Sequence, residues 1–251
     1  MKNLIMLLIL LICFKNINAQ SNWGQPKDSA NFEVIINPDF FLLGTFSDYL
    51  GRFQYIDREI QIDRYYPAEE GLAKYIIDFI NHYYYSGSEL KLAESRHSKI
   101  LNPTLAKQLH SEYFDKNGKF IDDKLDTEEK KYSFLLGVYL RYGQHLDNNI
   151  YKIQVANSPK DTQIYTILKD LESDKIVYKF LRGYLPSSDI FYFVATPRMI
   201  KYFNTVEKEY NELNMARKGL IYGKLLEREH AKQIIENLDA ELIKSLKMIF
   251  K

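Results

Sequence analysis

Two short segments of this chain carry a glutamate three residues ahead of a histidine: Glu94 and His97 in one, Glu227 and His230 in the other. On a helix that spacing stacks a carboxylate and an imidazole on one face. Four-helix carboxylate proteins use it to present ligands to a shared pair of iron or manganese ions. Helical phasing puts Glu227 inside the apolar stripe of the final segment and His230 on its margin. In a helix expected over about Ser88 to Ile100, His97 lies within the inward arc and Glu94 at its edge. A buried carboxylate needs a partner, so these positions call for either a metal or a counter-charge.

A di-metal centre also requires further inward carboxylates from separate helices. The helix that includes Leu72, Ile76 and Phe79 offers only Asp78, on its polar side. A simpler partner is Arg141, on the apolar face of "DTEEKKYSFLLGVYLRYG". A structural Arg141–Glu227 or Arg141–Glu94 ion pair satisfies the charges with no metal at all. No cofactor is therefore expected. Iron, manganese or zinc on the two Glu-x-x-His pairs is the alternative.

Other chemistries leave less trace. There is no His-Glu-x-x-His, no Gly-x-Ser-x-Gly, no phosphate-cradling Walker loop and no dinucleotide glycine motif. "DKNGKFIDDKLD" has its glycine and its final acid in the wrong places for a calcium loop, so it reads as a polar turn. "ANSPKD" is explained by helix N-capping through Asn157 or Ser158.

The amino end decides the expected address. Lys2 precedes an apolar run from Leu4 to Phe14, followed by a polar stretch ending at Ala19. The run is shorter than the ~20 residues of a transmembrane helix. It reads as a signal peptide cleaved after Ala19, which implies a secreted or periplasmic protein. Cys13, the single cysteine, would leave with it, so the mature chain would form no disulfide and hold no thiol ligand. Removing Lys2 and Lys15 turns the formal charge of +1 into −1. With no basic block to be seen, nucleic acid is not expected as a partner. No later run is long and apolar enough to span a membrane. With 20 tyrosines and 15 phenylalanines, many rings should sit at core margins with their hydroxyls wet.

The elements that must position these groups follow from periodicity. A short strand, a turn at Asn37-Pro38 and a helix are expected first. Helices then follow near 68–84, 88–100, 103–114 and 127–142. From about Asn149 the order is β-α-β-β-α, most of a split β-α-β unit, and a long amphipathic helix closes the chain. No internal repeat stands out. The fold class is therefore α+β: a mainly helical lobe at 20–147 and an α+β lobe at 148–251, packed as one body. The functional expectation is an exported, non-enzymatic binding or interaction protein with a protein or small-molecule partner. A metalloprotein is the alternative.

Overall fold

Asn37 and Pro38 open the first helix in the way their chemistry dictates. The Asn37 side chain accepts from the Phe40 N–H, and Pro38 occupies the first helical position, where its missing donor costs nothing. A computed structural model of the chain describes residues 32–84, 91–93, 97–173, 175–183, 186–222 and 229–251. Val34–Lys251 forms one compact unit.

In chain order its elements are α1 (Pro38–Thr45), β1 (Gln61–Tyr65), α2 (Glu70–Tyr83), β2 (Lys91–Ala93), β3 (Ser98–Leu101) and α3 (Pro103–Tyr113). There follow α4 (Glu128–Tyr142), β4 (Gly143–Asp147), β5 (Ile150–Ala156), α5 (Asp161–Asp170), β6 (Ile176–Leu181) and β7 (Ser188–Val194). The last three are α6 (Pro197–Asn204), α7 (Glu207–Tyr222) and α8 (Glu229–Ile249). Two antiparallel sheets have the orders β1-β3-β2 and β4-β5-β7-β6, so the architecture is α+β. Among the described residues no helix is long and apolar enough to cross a membrane.

The chain repeats itself, against the expectation from sequence. Phe-Leu-Leu-Gly occurs at 41–44 and again at 134–137, in α1 and α4. Each copy leads, 59 or 60 residues after its glycine, to a helix with proline at its first position: Pro103 after the Asn102 cap, Pro197 after the Thr196 cap. The strand order β5-β7-β6 reproduces β1-β3-β2, with α5 in the place of α2. The second half adds β4 at the edge of its sheet, where the first half has a 3-10 turn at Arg52–Gln54. The repeat is hard to see in the sequence because little beyond those few residues is shared.

The two FLLG helices pack on each other at the centre, with Phe40–Thr45 of α1 and Tyr132–Arg141 of α4 all buried. Their glycines make the approach possible. A Cβ on Gly44 would lie 2.1 Å from the Phe134 carbonyl oxygen, and one on Gly137 would lie 2.1 Å from that of Phe41. The reciprocity is that of a local two-fold axis between the helices. Around it the tyrosines form stacks, Tyr139 on Phe203 and Tyr210, and Tyr132 on Tyr202. Their hydroxyls find polar partners: Tyr202 donates to the Ile35 carbonyl, and Tyr210 accepts from the His145 N–H.

Several sequence expectations need correction. Residues 32–37 form no strand; their backbone instead meets side chains, the Asn37 N–H donating to Ser133. The segment read as a helix over 88–100 contains β2 and β3, because Ile100 and its neighbours pair with β1 and bury through a sheet. β1, β4 and α7 were not anticipated at all. The first two are short and partly polar, and α7 opens Glu-Lys-Glu-Tyr-Asn-Glu, which shows no apolar stripe. The long closing helix begins at Glu229, and α7 ends at Tyr222.

Gly44→Ala and Gly137→Ala should each destabilise the protein by at least about 3 kcal/mol, since a methyl would be driven into backbone that cannot move aside. Gly71→Ala, with nothing within 4 Å of its added Cβ, should be neutral or mildly stabilising. Urea unfolding followed by circular dichroism separates these outcomes. Equal midpoints for all three variants would refute the close-contact reading.

Candidate anion-binding surface

At the C-terminal ends of α1 and α4 the chain buries an ionic cluster. Asp63 of β1 is completely buried between Arg52, 2.7 Å from one carboxylate oxygen, and Arg141, 2.7 Å from the other. The Ser47 N–H adds a further donor to this carboxylate. Arg141 uses all five of its N–H groups: two on Glu69, one on Asp63, and one each on the carbonyls of Thr45 and Arg64. Arg52 is equally committed, to Asp63, the carbonyls of Ser47 and Ile62, and His110. Arg217 of α7 reaches Glu69 at 2.7 Å and ties that helix to the cluster.

These contacts fix protonation states. Burial pushes the Glu69 carboxyl up, but the charge and hydrogen bonds of Arg141, and then Arg217, overcome it and hold the group at about 2. Burial and the Arg52 charge lower His110 to about 4, so its ring is neutral at pH 7. The neutral ring accepts from Arg52 at Nε2 and donates from Nδ1 to the Arg58 carbonyl. Burial lowers Lys160 to about 8, against the raising effect of Asp48. Its ammonium donates to the Gly44 and Phe46 carbonyls at the end of α1, where a cation suits the helix dipole. Ser158 donates to Asp48 and accepts from the Lys160 N–H, while α5 has no side-chain cap, contrary to the capping role expected of Asn157 or Ser158. Arg52, Arg141, Asp63 and Glu69 satisfy one another.

The groups free to meet a ligand lie on the other side of the sheets. A cleft of about 710 Å³ opens along β4, β5 and α7. Gln144, Lys152, Gln154, Asn211, Asn214 and Arg217 are among its lining residues, and no carboxylate is among the described ones. Pairing register shows which side chains share this outer face. Gln144 lies opposite Lys152, Lys152 opposite Tyr192, and Gln154 and Lys179 both lie opposite Ile190. Burial and the neighbouring Lys179 charge lower the Lys152 ammonium, while Asp239 holds it up. On the first sheet Arg64 lies opposite Lys99, two cations side by side. Arg64 stacks 4.4 Å from the Tyr55 ring centre, and its buried Nε has no hydrogen-bond partner. Like charges facing each other across strands are unfavourable unless an anion joins them.

The residues singled out from sequence fall elsewhere. Glu94 and Glu227 lie outside the described residues, as does the side chain of His230, whose backbone is in α8. His97 is not on a helix but in the bend before β3, its ring edge-on to Tyr66. Arg141 is in a buried ion pair, with Asp63 and Glu69 as its partners. Among the described residues no three His, Cys, Asp or Glu side chains gather as metal ligands. Asp63 and Glu69 left no signal in the sequence, since nothing in "QIDRYYPAEE" marks either acid as buried.

The sequence matches no family model and no curated protein. Among solved structures it is similar to I-DmoI in complex with DNA and Mn, at 12% identity and a TM-score of 0.42, over 68% of this chain and 96% of that one. It is also similar to full-length DUF199/WhiA from Thermatoga maritima, at 11% identity and a TM-score of 0.38, over 85% of this chain and 70% of that one. These neighbours, several of them bound to DNA, correct the expectation of a non-enzymatic binding protein with no nucleic-acid partner; the expected signal peptide ending at Ala19, with Cys13, lies outside the described residues. I-DmoI is described as a homing endonuclease, and several of its matching structures are complexes with DNA. That expectation is not retained.

The ionic cluster makes stability depend on acid. Glu69 has a folded value near 2 against an ordinary 4.5, so its contribution is complete above about 4.5 and lost as the pH falls toward 2. His110, lowered from 6.5 to about 4, contributes above 6.5 and loses that contribution as the pH falls toward 4. Glu69→Gln should cost about 3–5 kcal/mol at neutral pH, because it leaves the buried Arg52 and Arg141 sharing the single carboxylate of Asp63. It should also flatten the stability profile below pH 4.5. Urea midpoints measured across pH check both; an unchanged acid limb would contradict the assignment.

Proposed function

We propose that the outer face of the second sheet, with the cleft beside it, binds a polyanion of nucleic-acid type. The observation that carries this reading is the chemistry of the cleft. Its described lining combines Lys152 and Arg217 with four side-chain amides and no carboxylate. Lys152, Gln144, Gln154, Asn211 and Asn214 make no side-chain hydrogen bond or ion pair among the described residues. Each is therefore available to a ligand.

A lysine supplies charge to a phosphate, whereas an amide offers a donor and an acceptor together, the pair needed at a base edge or sugar. Arg141 also borders the cleft, but its donors are spent within the protein, so it contributes walls rather than recognition. Arg217 shares its charge with Glu69. The Arg64–Lys99 pair with Tyr55 and Tyr66 on the first sheet adds a second cationic patch, flanked by exposed rings. Rings beside cations are a platform for bases and phosphates alike. The formal charge of only +1 means that attraction comes from local patches, not from the field of the whole molecule.

Fluorescence anisotropy with labelled DNA duplex, single-stranded DNA and RNA tests this reading. At least one probe should bind, with affinity falling steeply as salt rises. Lys152→Glu should weaken it about tenfold and reduce the salt slope by about one phosphate contact. Absence of salt-dependent binding to every probe at low salt, or identical curves for the wild type and Lys152→Glu, would end the proposal.

A further inference from the structure

The C-terminal helix lies on the face just described. The end of α8 packs into an apolar cluster in which Leu246 and Phe250 meet Ile150, Ile190 and Tyr192, with Leu242 at the margin. Ile190 lies opposite both Gln154 and Lys179, and Tyr192 lies opposite Lys152. One face of one sheet therefore carries both the ligand-ready polar groups and the seat of the helix.

The seating is shallow. Among the described side chains of residues 229–250 only Leu246 and Phe250 are buried, while Leu238, Met248 and Ile249 are each about 60% exposed. The polar fastenings are also at the surface. Lys247 pairs with Asp147, and Lys175 donates to the Phe250 carbonyl. Half-exposed ion pairs of this kind hold weakly and are screened by salt. The helix also brings acid to the basic face. Asp239 lies near enough to Lys152 and Tyr192 to bias both.

We infer that the last turns of α8 form a displaceable strap, seated by Leu242, Leu246 and Phe250 on the face that carries Lys152, Gln154 and Lys179, and that a polyanion occupying this face lifts it. The inference rests on the cleft's being the binding site, and adds that this site is regulated by the chain's own end. With the strap down, Ile190 and Tyr192 on the face that carries Lys152 are covered, and apparent affinity is reduced by the fraction of molecules in the closed state. Lifting it exposes Ile190 and Tyr192, a patch that a base or ribose can cover.

Hydrogen exchange on the full-length wild type, with and without saturating labelled DNA duplex, tests the strap directly. Amides of residues 242–250 should lose protection when the duplex binds. In parallel, Leu246→Asp in the full chain should undock the helix and tighten duplex binding about tenfold, and adding Lys152→Glu should abolish that gain. Asp239→Asn, which leaves the apolar seat intact, should tighten binding about threefold by removing the competing charge, and stands in for Leu246→Asp if that variant does not fold. Duplex binding that leaves 242–250 equally protected, or that is unaffected by Asp239→Asn, overturns the strap and leaves the cleft reading standing. No duplex binding by the wild type or by an undocked variant overturns both.

Discussion

The buried carboxylate of Asp63 is the contact on which the rest of the arrangement depends. It joins the turn after α1, through Arg52, to the end of α4, through Arg141, and both arginines spend every donor around it. Removing one member would leave a charge in a site that water cannot reach, a penalty of several kcal/mol. The cluster therefore specifies how the two halves meet more than it stabilises them. Apolar packing around it could supply the same energy, but would not fix the ends of two helices to one strand.

That junction sits beside a close approach of two helix backbones. Gly44 and Gly137 let α1 and α4 cross almost at van der Waals contact, and equivalent strands, helices and proline-started caps spread outward on each side. The duplication explains why both sheets direct an apolar face inward and leave a face outward. It also explains the asymmetry of what the outer faces carry. The second half has an extra strand and a helix across it, and the first half has a pair of cations beside exposed tyrosines.

Charge at the centre and charge at the surface play opposite parts. Arg52, Arg141 and Glu69 are locked by mutual hydrogen bonds, and the shifts of Glu69 and His110 report that locking, not readiness for chemistry. Lys152, Lys179, Arg64 and Lys99 lack such partners among the described residues. A ligand supplying negative charge completes them at little reorganisation cost.

Much of this was legible in the residues alone. The caps at Asn37, Asn102, Thr127 and Thr196 and the apolar run of α4 marked helices where they occur. Alternation marked β5, and runs of β-branched and aromatic residues marked β6 and β7, because each of these signals is local. Arg141 could be placed inside by phase alone, yet its partners could not, since Asp63 and Glu69 lie 78 and 72 residues away in the chain. Strands β2 and β3 read as helix in the sequence because Ile100 satisfies either period, and only the neighbouring β1 decides between them. Sequence by itself determined which segments are amphipathic and how they begin. Tertiary structure decided which charges neutralise each other and which are left facing outward, because that depends on distances between residues that the chain does not encode locally.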